Sequence, residues 1–551
     1  MRSLARLHRA ASAWSIGSHS QILLTAGIAI AGAAALCAET KYLGAVVFAA
    51  ITIALGLMLA TGTSPQALLV TWFATSPLAS FYFRFPTEKS VVTYDRALIA
   101  LIALVLIWRP RDTSAVESRA SLAPHLDAAA AGSERAARSS PAFSLWISKF
   151  EFSWGLLAAL AVVSAISQSH NTAYAVKIAV DGFCLPLVMF YFARRYLDFD
   201  QHPKALFFAA IGLAWFLFAA GAIEFATGFD LFVYKGSELI REGERRVNGP
   251  FGSDSSYAII CLLIAVFLRL LLHLLQVRLD AAARLLLRSA LTAVVAACLL
   301  PLFRSVALAL AACWMVVEIS LARWNKRAGI LQGKGGPPVS GDSDGAPTAD
   351  FASQPGPVPG RLASGALPLR SFRSIAFIAV AAVLAGSVVV LTAPRAWQRL
   401  ANLRNIYNRL ATWQVAGQIV LEHPVVGVGL TNYGDYFREH YNWKTGAPGY
   451  ILDTRPASSP HSNIMWIATD LGLAGLALYA VANTYLFRIG WRNFTRASSM
   501  RQRAAATCFL ALMIAYWIPG LTLASGYYSD LNLYYFFLLG ALSGRSLTVR
   551  S

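Results

Sequence analysis

A few ionisable residues lie where apolar segments begin or end. His461 immediately precedes an apolar run in the stretch PHSNIMWIATDLGLAGLALY (460–479), and Asp470 lies inside that run. Arg304 lies between two other apolar runs. A charge costs about 2.5–3.5 kcal/mol in the middle of a bilayer and less near its surface, so such residues are candidates for function. A histidine with a pKa near about 6.5 can accept a proton at neutral pH, and an arginine can bind phosphate oxygens bidentately.

Both residues also have an ordinary structural explanation. His461 could belong to a helix cap in which Ser462 or Ser459 is the true N-cap. Arg304 could be an interface arginine whose guanidinium reaches the head-group region. The residues alone favour a functional role for Arg304 and leave His461 open between the two explanations.

The composition places the chain in a membrane. Of 551 residues, 57% are hydrophobic and 14% are charged, whereas a soluble protein carries about 25% charged residues. A membrane-spanning helix needs about 20 mostly apolar residues. The candidates are 21–38, 43–61, 66–83, 95–108, 152–168, 175–193, 205–225, 256–275, 286–302, 305–322, 374–393, 462–487, 504–524 and 530–544. Because 66–83 and 95–108 are the weakest, the prediction is an all-α polytopic membrane protein with about 12–14 transmembrane helices.

The positive charge predicts orientation rather than a nucleic-acid partner. The net charge is +19, but Lys and Arg are concentrated in segments between apolar runs, without an aromatic–basic pattern for RNA. If the N-terminus is inside, the basic segments 109–150, 323–373 and 488–503 all fall on the inner side, as the positive-inside rule requires. Both termini are then expected to be cytoplasmic, with the first run, 21–38, retained as a signal anchor.

The cysteines indicate neither a disulfide framework nor a zinc site, because all six lie inside apolar runs without a CxxC or Cys/His cluster. The two long inner segments, 109–150 and 323–373, are rich in Pro, Gly, Ser or Ala and are expected to be disordered linkers. The predicted organisation is N-terminal transmembrane helices (1–108), a basic cytoplasmic linker (109–150), central transmembrane helices (151–322), a second cytoplasmic linker (323–373), one transmembrane helix (374–393), an outer loop (394–461) and C-terminal transmembrane helices (462–551).

The outer loop, unlike the two linkers, has a residue pattern that predicts folded structure. Between Asn405 and Pro424, apolar residues recur at helical spacing and predict an amphipathic helix. The segment from Val425 to Phe437 predicts a glycine-punctuated turn, and 438–456 is aromatic and polar. Such residues suit a sugar surface, because rings stack on sugar faces and polar groups bind hydroxyls; a folded loop with a small aromatic core explains them equally well.

Three elements in this order resemble a known family. They are Arg-xxx-Trp (Arg409 and Trp413), HPVVGVGLTNY (423–433) and PHSNIMWIATDLGLAGL (460–476), all between two late membrane helices. The chain is similar to the O-antigen ligase and polymerase superfamily, best over 405–480. The resemblance implies a bacterial inner-membrane glycosyltransferase of the GT-C fold with a large periplasmic loop carrying short helices.

The resemblance also implies substrates and residue roles. The donor would be a glycan on undecaprenyl diphosphate, and the acceptor another glycan, a lipid A core sugar or a different hydroxyl. His461 matches the family's proposed general base. Arg246, Arg304 and Arg409 match its arginines and would bind the diphosphate.

The match departs from the family pattern in places. Arg245 competes with Arg246, and the serine expected before Arg304 is displaced to Ser305. Asp470 matches a family acid before Leu-Gly-Leu and is expected to give support, as are Arg245 and Trp413.

The charges on the outer side indicate chemistry without a metal or another cofactor. The outer acids are scattered and form no D-x-D pair, whereas arginines are plentiful. Arginines can stabilise a leaving diphosphate without an ion, and attack from the opposite side would invert the anomeric centre. The sequence does not separate a ligase from an O-antigen or exopolysaccharide polymerase.

Two other classes of protein remain open at this point. A transporter or flippase of a lipid-linked or anionic solute is compatible with many spans and with Lys177 and Asp181, four residues apart on one helix and expected to pair. A transporter has little use for a long folded outer loop, and no inverted repeat is visible. A scaffold in a polysaccharide-export complex would need no cavity around His461.

Overall fold

The computed structural model describes residues 65–82, 84–85, 92–108, 148–197, 203–229, 231–232, 240–241, 244–245, 247–274, 281–333, 404–441 and 459–544. Helices form most of this part of the chain. They are α1 (Pro65–Tyr82), α2 (Tyr94–Trp108), α3 (Lys149–Ser167), α4 (Thr172–Ala179), α5 (Leu185–Tyr196), α6 (Pro203–Thr227), α7 (Asp254–Leu274), α8 (Ala281–Leu299), α9 (Arg304–Gly333), α10 (Arg404–Glu422), α11 (Tyr433–His440), α12 (Asn463–Thr495), α13 (Met500–Gly520) and α14 (Ser529–Leu542).

Short elements connect these helices. A π turn, Val180–Cys184, joins α4 to α5, and 3₁₀ turns cover Gly249–Phe251 and Ser525–Tyr527. The strands are two-residue antiparallel ladders: β1 (Arg84–Phe85) with β2 (Val92–Thr93), and β3 (Ile240–Arg241) with β4 (Glu244–Arg245).

The all-α polytopic class predicted from composition is confirmed. Seven segments of the described chain are long and apolar enough to cross a membrane, with α4, the π turn and α5 counting as one of them. They are Lys149–Ser167, Thr172–Tyr196, Ala205–Thr227, Asp254–His273, Arg304–Ala322, Asn463–Thr495 and Met500–Gly520. The predicted spans 21–38, 43–61 and 374–393, and the linker residues 109–147 and 334–373, lie outside the described residues.

Two helices extend beyond the segments predicted for them, and a third helix forms where a turn was predicted. α9 continues to Gly333, into the segment predicted as the second linker, and α12 continues to Thr495. α11 forms inside and just beyond the segment predicted as a turn. The physical reason is that Tyr433 and Phe437, one helical turn apart, are both buried against α10.

The helices pack at close range where small residues allow it. α14 lies along α5, and a Cβ added at Gly540 would come within 2.4 Å of the Phe190 carbonyl oxygen. Such close approach provides the dispersion contacts that hold membrane helices together. At the centre, the hydroxyl of Tyr534 donates to the carbonyl of Phe73 at 3.0 Å.

Several connections meet at the end of the bundle where α12 begins, referred to below as the His461 end. The Ser169 hydroxyl, just after α3, donates to the Leu430 carbonyl at 2.6 Å. The amide of Ser525, between α13 and α14, donates to the Asn463 side chain at 2.6 Å. These bonds join the end of α3 to the loop before α11, and the start of α12 to the α13–α14 connection.

Candidate active site

The long helix α12 is broken at Gly472, and another segment fills the break. Gly472 has φ 67° and ψ −170°, which is not a helical conformation. The two amides that follow it bond outside their own helix: Leu473 donates to the Pro424 carbonyl at 2.7 Å, and Ala474 to the Val425 carbonyl at 3.2 Å. Unpaired backbone groups are costly in a membrane, so these bonds stabilise the break.

The same loop, residues 424–429, also satisfies the last carbonyls before the break. The amide of Val428 donates to the Thr469 carbonyl at 2.9 Å, and the amide of Gly429 donates to the Asp470 carbonyl at 3.1 Å. We call residues 424–429 the inserted loop. Its four backbone bonds to α12 bring the sequences HPVVGVG and ATDLGL into direct contact.

The glycines are needed because the two backbones approach too closely for side chains. A Cβ added at Gly472 would lie 2.2 Å from the Val425 carbonyl oxygen, and one added at Gly427 would lie 2.4 Å from the Thr469 carbonyl oxygen. Both glycines also have positive φ, 67° and 70°. Their position indicates a structural role in holding the first part of α12.

We expect Gly472→Ala to destabilise the protein by about 2–4 kcal/mol, because its backbone region is almost restricted to glycine and the added carbon overlaps a carbonyl. The thermal unfolding midpoint of purified protein measures this loss. Gly417→Ala is the matched control, because Gly417 lies inside α10 with nothing within 4 Å of an added Cβ. Equal midpoints for the Gly472 variant and wild type would contradict the role of the break.

Asp470 braces the inserted loop from inside the protein. It is fully buried, and its Oδ2 accepts the backbone amide of Thr431 at 2.7 Å. Thr431 has φ 70°, a left-handed conformation that a threonine rarely adopts. The carboxylate therefore fixes a strained turn between the inserted loop and α11.

His461 lies just before α12 with its side chain exposed. Its φ is 49°, again in the left-handed region, and strain of this kind often accompanies functional positions. Ser462 occupies the N-cap position, although its side chain makes no capping hydrogen bond. The imidazole is therefore presented outside the helix.

A tryptophan of α10 fixes the backbone next to His461. The indole Nε1 of Trp413, on α10, donates to the carbonyl oxygen of Pro460 at 3.0 Å. Arg409 precedes Trp413 by four residues and so lies on the same face of α10. The Arg-xxx-Trp motif thus brings the arginine-bearing face of α10 beside His461.

Arg304 is the first residue of α9 and is exposed at the His461 end. The hydroxyl of the next residue, Ser305, lies 3.4 Å from the hydroxyl of Thr522 in the α13–α14 connection. That connection also bonds Asn463 through Ser525, at 2.6 and 2.8 Å. Ser305, next to Arg304, and Asn463, two residues after His461, therefore contact the same short connection.

Arg246 lies outside the described residues, and only the backbone of Arg245 is described, in β4. The chain immediately after them is firmly held. Both carboxylate oxygens of Glu224, near the end of α6, accept backbone amides at 2.8 Å, from Asn248 and Gly249. Sequence reasoning gave Glu224 no role, and only the structure shows that it anchors this segment.

A buried polar network beneath His461 was also missed from the sequence. The hydroxyl of Ser525 donates to Asn463 Oδ1 at 2.8 Å and lies 2.7 Å from the hydroxyl of Tyr516. The Tyr516 hydroxyl in turn donates to Asn532 Oδ1 at 2.8 Å. The only sign of this network in the sequence is Asn463, a polar residue in an apolar run, and its partners are remote in sequence.

His423 and His440 belong to an aromatic cluster around the ends of α10 and α11. The ring of His440 stacks on Tyr436 at 4.0 Å, and His423 Nε2 lies 2.9 Å from the Tyr436 hydroxyl. The hydroxyls of Tyr436 and Tyr441 both donate to Glu422. Burial and this carboxylate raise the pKa of both phenols, so they remain hydrogen-bond donors.

Within the described ranges, no group of three or more His, Cys, Asp or Glu residues is arranged to hold a metal ion.

Comparison with known proteins gives one family match. A family model described as O-antigen ligase matches residues 361–480. No curated protein matches the chain. The matched range contains α10, the inserted loop, α11, His461 and the part of α12 that includes its break.

Proposed function

We propose, from the premise that residues 361–480 match a family model described as O-antigen ligase, that the chain transfers a glycan from undecaprenyl diphosphate to an acceptor hydroxyl on the periplasmic face. The observation that carries the proposal is the bond from Trp413 to the Pro460 carbonyl. It joins the arginine-bearing helix α10 to the residue directly before His461. A proton acceptor and a cation for phosphate thus belong to one assembly.

In the proposed step, the neutral imidazole of His461 accepts the proton of the acceptor hydroxyl. The hydroxyl oxygen forms a bond to the anomeric carbon while the bond from that carbon to the diphosphate oxygen breaks. The electron pair of the broken bond leaves with the diphosphate. Because the oxygen attacks opposite the leaving group, the anomeric configuration inverts. General base catalysis of this kind contributes about 10²–10⁴-fold.

The leaving diphosphate is stabilised by arginines in this mechanism. Arg304 is the first residue of α9, where a positive charge is unfavourable because it opposes the helix dipole. A cation kept at such a position supports a role in binding the diphosphate. The free backbone amides of a helix N-terminus favour an anion at the same place. Arg409 and Arg246 complete the proposed set, with Arg245 beside the latter.

The break in α12 gives the site a rigid support. The inserted loop holds both sides of Gly472 through four backbone bonds, and Asp470 fixes the turn that leads to α11. His461 therefore precedes a helix segment whose far end is held by four backbone bonds. Such rigidity keeps catalytic groups in reactive geometry.

Glycans from a gene-deletion strain test the proposal and separate its two forms. Loss of long chains with single repeats left on the acceptor would identify a polymerase. Loss of all acceptor-linked chains, with lipid-linked polymer accumulating, would identify a ligase. Unchanged surface glycans and unchanged lipid-linked intermediates would contradict the proposal.

We expect transfer to proceed in the presence of EDTA. A divalent ion on a diphosphate needs one or two carboxylates beside it, whereas the acids of the outer loops are scattered and arginines are plentiful. The assay uses purified enzyme with lipid-linked donor and acceptor, with and without chelator. Activity that disappears in EDTA and returns with magnesium or manganese would contradict the metal-independent mechanism and direct attention to Glu242, Glu244, Asp435, Asp453 and Asp470.

A further inference from the structure

Exposed apolar side chains surround the place where the inserted loop meets α12. Leu421, at the end of α10, is 80% exposed, and Val425 and Val426, in the inserted loop, are 67% and 44% exposed. Leu473, directly after the break in α12, is 49% exposed. It lies against the loop, because its amide bonds the Pro424 carbonyl and the next amide bonds the Val425 carbonyl. We call Leu421, Val425, Val426 and Leu473 the apolar patch.

The apolar patch continues the lipid-facing side of α12. The exposed positions of α12 from the break to its last turns recur at helical spacing and so share one face. They are 473, 474, 477, 480, 481, 484, 487, 488 and 491. All are apolar except Thr484, whose hydroxyl donates to the Ala480 carbonyl at 2.8 Å, and Arg488. Because α12 is long and apolar enough to cross a membrane, this face contacts acyl chains.

The position of Leu473 along α12 places the patch inside the hydrocarbon layer. Arg488 and Trp491, both exposed, mark the membrane surface at the far end of α12, where arginine and tryptophan are frequent. Leu473 and Trp491 are 18 positions apart, which is about 27 Å of helix, and the hydrocarbon core is about 30 Å thick. Leu473 therefore lies just inside the opposite edge of the core. The start of α12, at Asn463, lies about 15 Å farther out.

The end of α10 changes from polar to apolar at the same place. The inward side of α10 carries Val415 and Ile419, which are both buried. The opposite side carries Gln414 and Gln418, which are exposed, and then Leu421. A helix in water keeps polar residues on its exposed side. The change from glutamine to leucine therefore indicates that the end of α10 leaves water.

Polar and aromatic groups adjoin the patch. Glu422 and His423, both exposed, directly follow Leu421. The Glu422 carboxylate accepts from the hydroxyls of Tyr436 and Tyr441. Tyrosine is frequent at the level of lipid head groups, because it combines an apolar ring with a polar hydroxyl. An apolar surface bordered by such groups matches the boundary between acyl chains and head groups.

We propose that the apolar patch is embedded among the acyl chains of the bilayer leaflet at the His461 end. The partner is lipid and not a second protein chain, because the patch extends a helix face that itself contacts lipid. This contact anchors the end of α10 in the membrane and so holds Trp413, two turns earlier, close to the membrane surface. The inference goes beyond the proposed glycan transfer and does not depend on it.

Spin-label accessibility in liposomes of phosphatidylethanolamine and phosphatidylglycerol tests this placement. Val425→Cys in the purified full chain is labelled with a nitroxide, and its collision rates with oxygen and with the nickel–EDDA complex are measured by EPR. Leu308→Cys is the lipid reference, because Leu308 is 63% exposed on the membrane-crossing part of α9. Glu439→Cys, at an exposed charged position of α11, is the water reference. We expect the oxygen-to-nickel ratio at Val425 to exceed that at Glu439 about fivefold, because a polar complex is excluded from hydrocarbon.

A second labelled position and a background measurement make the outcome specific. Leu421→Cys repeats the test at the other edge of the patch, and unsubstituted protein gives the background from native cysteines, four of which are buried among the described residues. Ratios at Val425 and Leu421 equal to that at Glu439 would place the patch in water and overturn the inference. Immobile labels that neither probe reaches would identify a second copy of the chain or another protein as the partner, and would overturn it as well. Because no turnover is measured, failure of the proposed transfer would leave this result unchanged.

Discussion

His461→Ala is expected to lower the rate of transfer by about 10²–10⁴-fold while the protein inserts normally into the membrane. The imidazole is exposed before α12, so its removal leaves the bond from Trp413 to the Pro460 carbonyl and the first turn of the helix in place. A thermal unfolding midpoint equal to that of wild type would assign the loss to the proton transfer and not to the fold. The measurement is turnover of purified protein with lipid-linked donor and acceptor.

His440→Ala is the matched control for this variant. His440 is exposed at the end of α11, and its ring stacks on Tyr436 in the aromatic cluster. We expect this variant to retain wild-type turnover. If His440→Ala abolished transfer and His461→Ala did not, the general base would lie on α11 and the proposed mechanism would be wrong.

Arg304→Lys is expected to be almost as damaging as Arg304→Ala, each lowering the rate by about 10²–10³-fold. A lysine retains the charge but cannot reproduce the two parallel bonds of a guanidinium to phosphate oxygens. The exposed position at the start of α9 means that neither substitution disturbs the core. The readout is the turnover number of purified variants at saturating donor.

Arg438→Ala serves as the comparison for Arg304. Its guanidinium is exposed on α11 and pairs with Asp435, three residues earlier. We expect full activity from this variant. Full activity in Arg304→Lys would instead show that Arg304 acts as a point charge or as an interface residue.

The membrane helices were predictable because hydropathy is a local property. The predicted span 205–225 corresponds to the observed helix Pro203–Thr227. The amphipathic helix predicted between Asn405 and Pro424 corresponds to Arg404–Glu422. Helix ends were less accurate, because α9 and α12 continue beyond their apolar parts. Hydropathy marks where a helix is in lipid and not where it ends.

The features that required the structure depend on contacts between distant segments. Asp181 pairs with Arg96, 85 residues away, and no local rule points to that partner. The break at Gly472 depends on the inserted loop, which supplies the bonds that an interrupted membrane helix lacks. Neither a pair between distant segments nor a broken helix can be predicted from periodicity alone.

The candidate site could be predicted from the sequence only in part. The resemblance singled out His461, Arg304, Arg409 and Trp413; in the structure Trp413 bonds the carbonyl of Pro460, next to His461, and Ser305, next to Arg304, contacts the connection that also bonds Asn463. Glu224 and Asn463 were missed, because a buried polar residue shows its role only when its partners are known. Their signal in the sequence is a polar side chain inside or beside an apolar run.

The central claim is that the chain forms a glycosidic bond by transferring a glycan from a lipid diphosphate. The most direct test reconstitutes the purified protein in liposomes with lipid-linked glycan and an acceptor, and measures both products. Equal amounts of acceptor-linked glycan and released undecaprenyl diphosphate are the predicted result. Movement of the intact lipid-linked glycan between leaflets, without any new glycosidic bond, would identify a transporter and contradict the claim.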